Sequence, residues 1–131
     1  MKSTKYEVVF EPFTERHFIR TFARKYKRAW NITLKTIREE FAQVDLLFLK
    51  NTAETIVDVN DTKICKTEFR IAGPGKSRHA SGNRCIIAIY KSTTAVHVLL
   101  VYSKRDISDS NETAGWKALI KGNYPEYRDI L

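Results

Sequence analysis

The sequence predicts an α+β fold: an N-terminal strand and a helical hairpin packed on a mainly antiparallel sheet, with a short helix near the C-terminus. Three observations carry this expectation. Between residues 14 and 49, apolar side chains recur at three- and four-residue spacing, the period of a helix. Between Lys63 and Lys104, three runs either alternate or are continuously apolar, the patterns of half-buried and fully buried strands. Asn111 then precedes a segment from Glu112 to Lys121 that reads as a capped helix. The chain has 131 residues and 43% hydrophobic content, which suits one domain over residues 1–131 with a core that needs neither metal nor disulfide.

The first strand is expected over Tyr6 to Phe10, with Glu11-Pro12 ending it. Thr14 reads as an N-cap, with Glu15 in the first turn. Phe18, Phe22 and Tyr26 then share a helical face with Ile19, Ala23 and Trp30. Asn31 reads as the cap of a second helix carrying Leu34, Ile37, Phe41, Val44 and Phe48, closed by Lys50-Asn51. The short connection makes the two helices a hairpin. Asn51 to Asp61 is too polar to assign. In the first strand of the meander, Cys65, Thr67, Phe69 and Ile71 take one face and Lys66, Glu68 and Arg70 the other. Asn83 to Lys91 is apolar on both faces and should be central. Ala95 to Lys104 follows after a turn at Ser92-Thr93-Thr94. Gly122 should follow the last helix, and Tyr124, Pro125 and Tyr127 form an aromatic tail.

Charge is the strongest functional signal. The net charge is +8, and between Lys63 and Arg105 there are nine Lys or Arg and a single acid, Glu68. Cations on one sheet face without acids to neutralise them call for an external anion, and a nucleic-acid backbone fits best. Arg16, Arg20, Arg24 and Arg28 repeat every four residues in the helical region, an arrangement an isolated helix disfavours. The linker from Ala72 to Asn83 adds Lys76, Arg78 and His79. No apolar stretch approaches the roughly 20 residues that span a bilayer, and MKSTKYEVVF lacks the apolar core of a signal peptide. A cytoplasmic protein without a membrane role is expected.

Several chemistries are excluded. Gly75-Lys76-Ser77 resembles the end of a P-loop, but Arg70 stands where that motif needs glycine. There is no G-x-S-x-G elbow. Cys65 and Cys85 read as two buried thiols, and the histidines lack zinc-ligand spacing. RNA cleavage needs less machinery, because the 2′-hydroxyl can attack the adjacent phosphate. The protein must orient that attack, stabilise the phosphorane and move protons, and no cofactor is called for. Lys66, Arg70, Lys76, Arg84, Tyr102 and Lys104 are a credible set for this, and equally for charge-mediated RNA binding alone.

The segments KICKTEFRIAGPGKS, GNRCIIAIYK and VHVLLVYSKRD, in this order, resemble the RelE/ParE superfamily of bacterial toxins, most closely its RelE-like and HigB-like mRNA interferases. The shared features are a basic strand ending in arginine, a glycine-rich basic loop, an arginine opening the next strand and a closing Y-x-K. The resemblance implies a RelE-like fold and the toxin of a type II toxin–antitoxin system, with the ribosome, mRNA and a cognate antitoxin as partners. The implied activity is that of a ribosome-dependent endoribonuclease. Under it Arg70 and Arg84 stabilise phosphate, Lys66 and Lys104 supply charge or protons, and Tyr102 positions a base. Lys76, Arg78, His79 and the four helical arginines bind RNA. A ParE-like toxin acting on a topoisomerase and a non-catalytic RNA-binding domain are the alternatives.

Overall fold

The structure, a computed structural model, describes residues 4–50, 52–107 and 111–131. It is an α+β fold on one five-stranded mixed sheet. β1 (Glu7–Phe10) leads directly into a helical arm made of α1 (Pro12–Thr14), a wide π turn (Glu15–Ile19) and α2 (Arg20–Tyr26). Pro12 suits the first helical position, where no N–H is required. Thr14 is not the cap expected of it. It is wholly buried, and its hydroxyl accepts the Val101 N–H at 2.8 Å. The arm ends at Lys27, whose φ of 51° takes the backbone out of helical space, and α3 (Arg28–Ala42) begins at once. The Lys27 carbonyl accepts from Trp30 and Asn31, so the break falls ahead of the cap expected at Asn31, and Trp30 belongs to the second helix. Phe22 and Trp30 stack across this corner at 4.9 Å. α4 (Val44–Leu49) completes the helical part; of the expected Lys50-Asn51 stop, Asn51 lies outside the described residues.

The polar stretch that carried no assignment forms β2 (Ala53–Val59), an edge strand paired antiparallel with β3 (Thr62–Phe69). A bulge between Thr55 and Val57 turns both Ile56 and Val57 partly inward, which erases the alternation that marks a strand in sequence. The two-residue turn at Asn60-Asp61, with Asn60 at φ 54°, joins the pair. β4 (Asn83–Tyr90) and β5 (Ala95–Ser103) extend the antiparallel meander, and β1 adds parallel to β5, giving the order β1-β5-β4-β3-β2. As expected, β4 is central: Asn83 to Ile89 are all buried. Within the Ala72–Asn83 linker, Ser77 caps a single turn, α5 (Arg78–Ser81), and Gly82 ends it at φ 76°. α6 (Glu112–Asn123) starts at Asn111, whose side chain accepts the Ala114 N–H, and it runs through Gly122 instead of stopping before it.

The sheet is covered on both faces. On one, Phe22, Trp30, Ile37, Phe41, Val44 and Leu47 of the helices meet Cys65, Phe69, Cys85, Ile87, Val98 and Val101. On the other, Trp116 and Ile120 of α6, with Tyr124 and Tyr127 behind them, meet Ile64, Ile86, Ala88, Leu100 and Tyr102, joined by Phe13 and Phe18 of the arm. Full burial of one such aliphatic side chain contributes about 1.5–3 kcal/mol. The aromatic tail is thus a core element: the Tyr124 hydroxyl donates to the Leu99 carbonyl at 2.8 Å. Cys65 and Cys85 are free and buried.

Lys27 holds a positive φ without the freedom of glycine, a conformation that costs about 1–3 kcal/mol. Lys27→Gly is expected to raise the unfolding free energy by about 0.5–1 kcal/mol, the relieved strain exceeding the added chain entropy. Urea unfolding measures the change; a less stable variant would show that the corner is not strained.

Candidate functional site

The end of the meander gathers most of the charge. Glu68 pairs with Arg84 across β3 and β4, and Arg84 with Tyr102 across β4 and β5. Alternation places Lys66 on the same face, the one that carries α6. Lys104 follows immediately after β5, at the head of a turn capped by Ser103. α5 brings Arg78 and His79 over the end of β3. Together Lys66, Glu68, Arg78, His79, Arg84 and Lys104 line an open cleft of about 450 Å³.

The expectation that these cations lack neutralising acids is corrected by the fold. Three carboxylates converge on them. Glu68 accepts from His79 Nδ1 at 3.1 Å and lies 3.5 Å from Arg84. Glu112, in the first turn of α6, binds Lys66 at 3.1 Å, reaches Lys104 at 3.9 Å and accepts the Tyr102 hydroxyl at 2.7 Å. Glu40 of α3 holds Arg78 in a two-pronged contact, one arm at 3.0 Å, and this bond raises the guanidinium pKa. Arg84 is only 2% exposed, and it also donates to the carbonyls of Asn83 and His79 at 3.1 and 3.4 Å. Its Nε, also buried, has no hydrogen-bond partner among the described residues.

Tyr102 is fully buried beneath α6, so its ring is not presented to a base, which corrects the stacking role the resemblance implies. Burial, reinforced by the bond to Glu112, pushes its hydroxyl well above the ordinary tyrosine value. Tyr102 is therefore a fixed donor that positions Glu112. Burial acts to raise the Glu112 carboxyl, but the Tyr102 hydroxyl, the Lys66 ammonium and the Arg84 charge outweigh it and leave the pKa lowered.

Arg70 does not join Arg84. The ladder ends at Phe69, so strand alternation no longer governs Arg70, and its guanidinium donates to the Gly73 carbonyl at 2.8 Å. It lines a second cleft with Lys76, on the helical side of the sheet. The basic loop is thus divided by α5: Lys76 faces one cleft, Arg78 and His79 the other. Arg16, Arg20, Arg24 and Arg28 are all exposed and make no ion pair with the described residues. They do not form one helical column, since the π turn shifts the phase after Arg16 and Lys27 separates Arg24 from Arg28.

Comparison with protein families, curated proteins and solved structures finds no match to this chain. The site rests on its geometry. Sequence reasoning missed the roles of Glu40 and Glu112, whose partners lie far away along the chain. It treated Glu68 as a lone exception to the charge pattern, although its place between Lys66 and Arg70 already put it on the cationic face. Among the described residues no group of three or more His, Cys, Asp or Glu is arranged to hold a metal ion, and no helix is long and apolar enough to cross a membrane.

A carboxyl whose pKa is lowered by folding adds stability above the ordinary glutamate range and loses it as the pH falls through the folded value. On acidification below that range, the parent should therefore lose stability more steeply than Glu112→Gln. At neutral pH the variant should be about 1 kcal/mol less stable. Unfolding followed over a pH series measures both, and parallel profiles would remove Glu112 from the centre of this network.

Proposed function

We propose that the chain is a ribosome-dependent endoribonuclease with a RelE-like fold, the toxin of a type II toxin–antitoxin pair, and that it cuts mRNA in the cleft at the end of β3, β4 and β5. One observation carries this reading: the Glu68 carboxylate sits in an open cleft among Lys66, His79, Arg84 and Lys104. A base beside several phosphate-binding cations is what transesterification of RNA requires. The order of the elements also supports it, with β2 as an added edge strand.

In this reaction Glu68 takes the proton of the 2′-hydroxyl as its oxygen attacks the 3′-phosphorus. Lys66, Lys104 and the fixed Arg84 guanidinium stabilise the charge that grows on the phosphorane oxygens. The departing 5′-oxygen takes a proton from His79, which is exposed at the cleft mouth and touches Glu68. The products are a 2′,3′-cyclic phosphate and a free 5′-hydroxyl. Glu112 keeps Lys66 and Tyr102 in place and does not touch the substrate. The exposed arginines of the arm meet ribosomal RNA or the acidic side chains of an antitoxin.

Purified protein added to translating ribosomes, with mapping of mRNA 5′ ends, tests the proposal. Lys104→Ala is the most informative variant, because Lys104 is half exposed and its one carboxylate lies 3.9 Å away. It should still bind ribosomes but cleave about 10²–10³-fold more slowly in a single turnover, the usual cost of losing one preorganised donor. Glu68→Gln should lose at least as much, provided circular dichroism shows it folded, since Glu68 also neutralises Arg84. Cleavage at the parental rate by both variants would sink the catalytic assignment. A parent that binds ribosomes without cutting would leave an RNA-binding domain.

A further inference from the structure

The second cleft, about 480 Å³, lies between α2, the loop from Arg70 to Lys76 and the end of β5. Its charge differs in kind from that of the first. Lys25, Arg70, Lys76 and Arg105 line it, and none makes an ion pair with a described carboxylate. Arg70 donates to the Gly73 carbonyl, and the Lys25 ammonium lies over the Tyr26 ring, 5.2 Å from its centroid. Asp106 is the one acid on the lining, and its carboxylate already accepts the Ser103 N–H. In the first cleft Lys66, Arg78, Arg84 and Lys104 each have a carboxylate partner. The uncompensated positive charge of the sheet end therefore sits in the second cleft, beside the half-buried ring of Tyr26, which leans on Phe22.

The two clefts occupy opposite faces of the same end of the sheet. Successive residues alternate between them: Asn83 lines the second and Arg84 the first, Ser103 and Arg105 the second and Lys104 the first. Gly82, next to Ser81 and Asn83 of the second cleft and beside Lys104 of the first, sits on the rim between them, and its carbonyl accepts the Lys104 N–H. Gly82 holds φ 76° with the Lys104 side chain beside it, so the rim carries no side chain of its own there.

We propose that the second cleft is a nucleotide subsite for single-stranded RNA: its cations hold a backbone phosphate, Tyr26 takes the base, and the strand crosses the Gly82 rim so that the neighbouring nucleotide lies in the first cleft. The assignment deepens the ribonuclease reading and rests on it only for the placement of the neighbouring nucleotide in the first cleft. Phosphate recognition by unpaired Lys and Arg next to an aromatic ring follows from the cleft's own chemistry.

Binding of a short, fluorescently labelled single-stranded RNA to the isolated protein, followed by anisotropy over a salt series, tests this without requiring cleavage. Tyr26→Ala should weaken binding about 10-fold, within the range for loss of one stacked base, while Tyr26→Phe should bind as the parent does. The pair Lys76→Gln with Arg105→Gln should weaken it further and reduce the slope of log K against log salt by about 0.7, the value for one phosphate contact on a single strand. Lys35→Gln with Lys121→Gln, two exposed positions outside both clefts, controls for net charge. Absence of RNA binding by the parent, equal binding by the cleft variants, or an equal loss in the control pair would overturn the subsite. Binding that follows the cleft variants in a protein that never cuts mRNA would retain the subsite and reject the ribonuclease reading.

Discussion

The burial of β4 on both faces governs the rest of the molecule. A strand whose residues from Asn83 to Ile89 are all buried must be covered by two layers, and the chain supplies them from opposite ends. The helices α2 to α4 come from the N-terminal half; α6 and the tyrosine tail come from the last residues. The same constraint fixes Arg84. Its position near the start of β4 puts a guanidinium inside the protein, where an unpaired charge would cost several kcal/mol, of that order in any low-dielectric site. Glu68, directly opposite on β3, and two backbone carbonyls meet that demand. Pairing of Glu68 with Arg84 is thus a condition of the fold as well as a feature of the cleft.

That pairing changes how the positive charge of the chain should be understood. Read along the sequence, the stretch from Lys63 to Arg105 is almost free of acids. In space, the cations of the first cleft are matched by carboxylates delivered from elsewhere, Glu112 for Lys66 and Lys104 and Glu40 for Arg78. Among the described residues, the exposed arginines of the arm, Lys25, Arg70, Lys76 and Arg105 make no ion pair. The compensated cluster is suited to holding a geometry, because its charges are fixed by short contacts. These unpaired cations are suited to attracting a polyanion, because no described carboxylate forms an ion pair with them.

How much of this was legible in the sequence depended on whether the signal was local. β4 was legible because Cys85 to Tyr90 form an unbroken apolar run. The asparagine cap of α6 and the positions of β3 and β5 were legible for similar reasons. β2 was not, because a bulge moved two neighbouring residues to the same side and broke the alternation. The turn at Asn60-Asp61 was the one local clue. The break at Lys27 left no trace, since a lysine at positive φ is held there by the packing of Phe22 against Trp30 and not by its own preference. At the candidate site, strand order and alternation pointed to one face for Lys66, Arg84 and Lys104, whereas Arg78 and His79, read only as part of a basic loop, reach the same cleft through α5. Arg70 was misplaced by one residue's worth of strand, and Tyr102 was read as accessible because nothing local announces that α6 will cover it.

The cover over Tyr102 has a consequence for the chemistry of the cleft. A tyrosine whose hydroxyl is buried and bonded to Glu112 stays protonated, so it can donate but cannot accept a proton from a substrate. Lys66 is tied to the same carboxylate at 3.1 Å. Neither group is then free to act as the base, and Arg84, always charged, cannot be one. Of the polar side chains that line the cleft, Glu68 alone combines a carboxylate, one-third exposure and contact with a second proton-carrying group, His79. The acid that stood out in sequence only as an interruption of the charge pattern is, in the folded chain, the residue with the chemistry of a base.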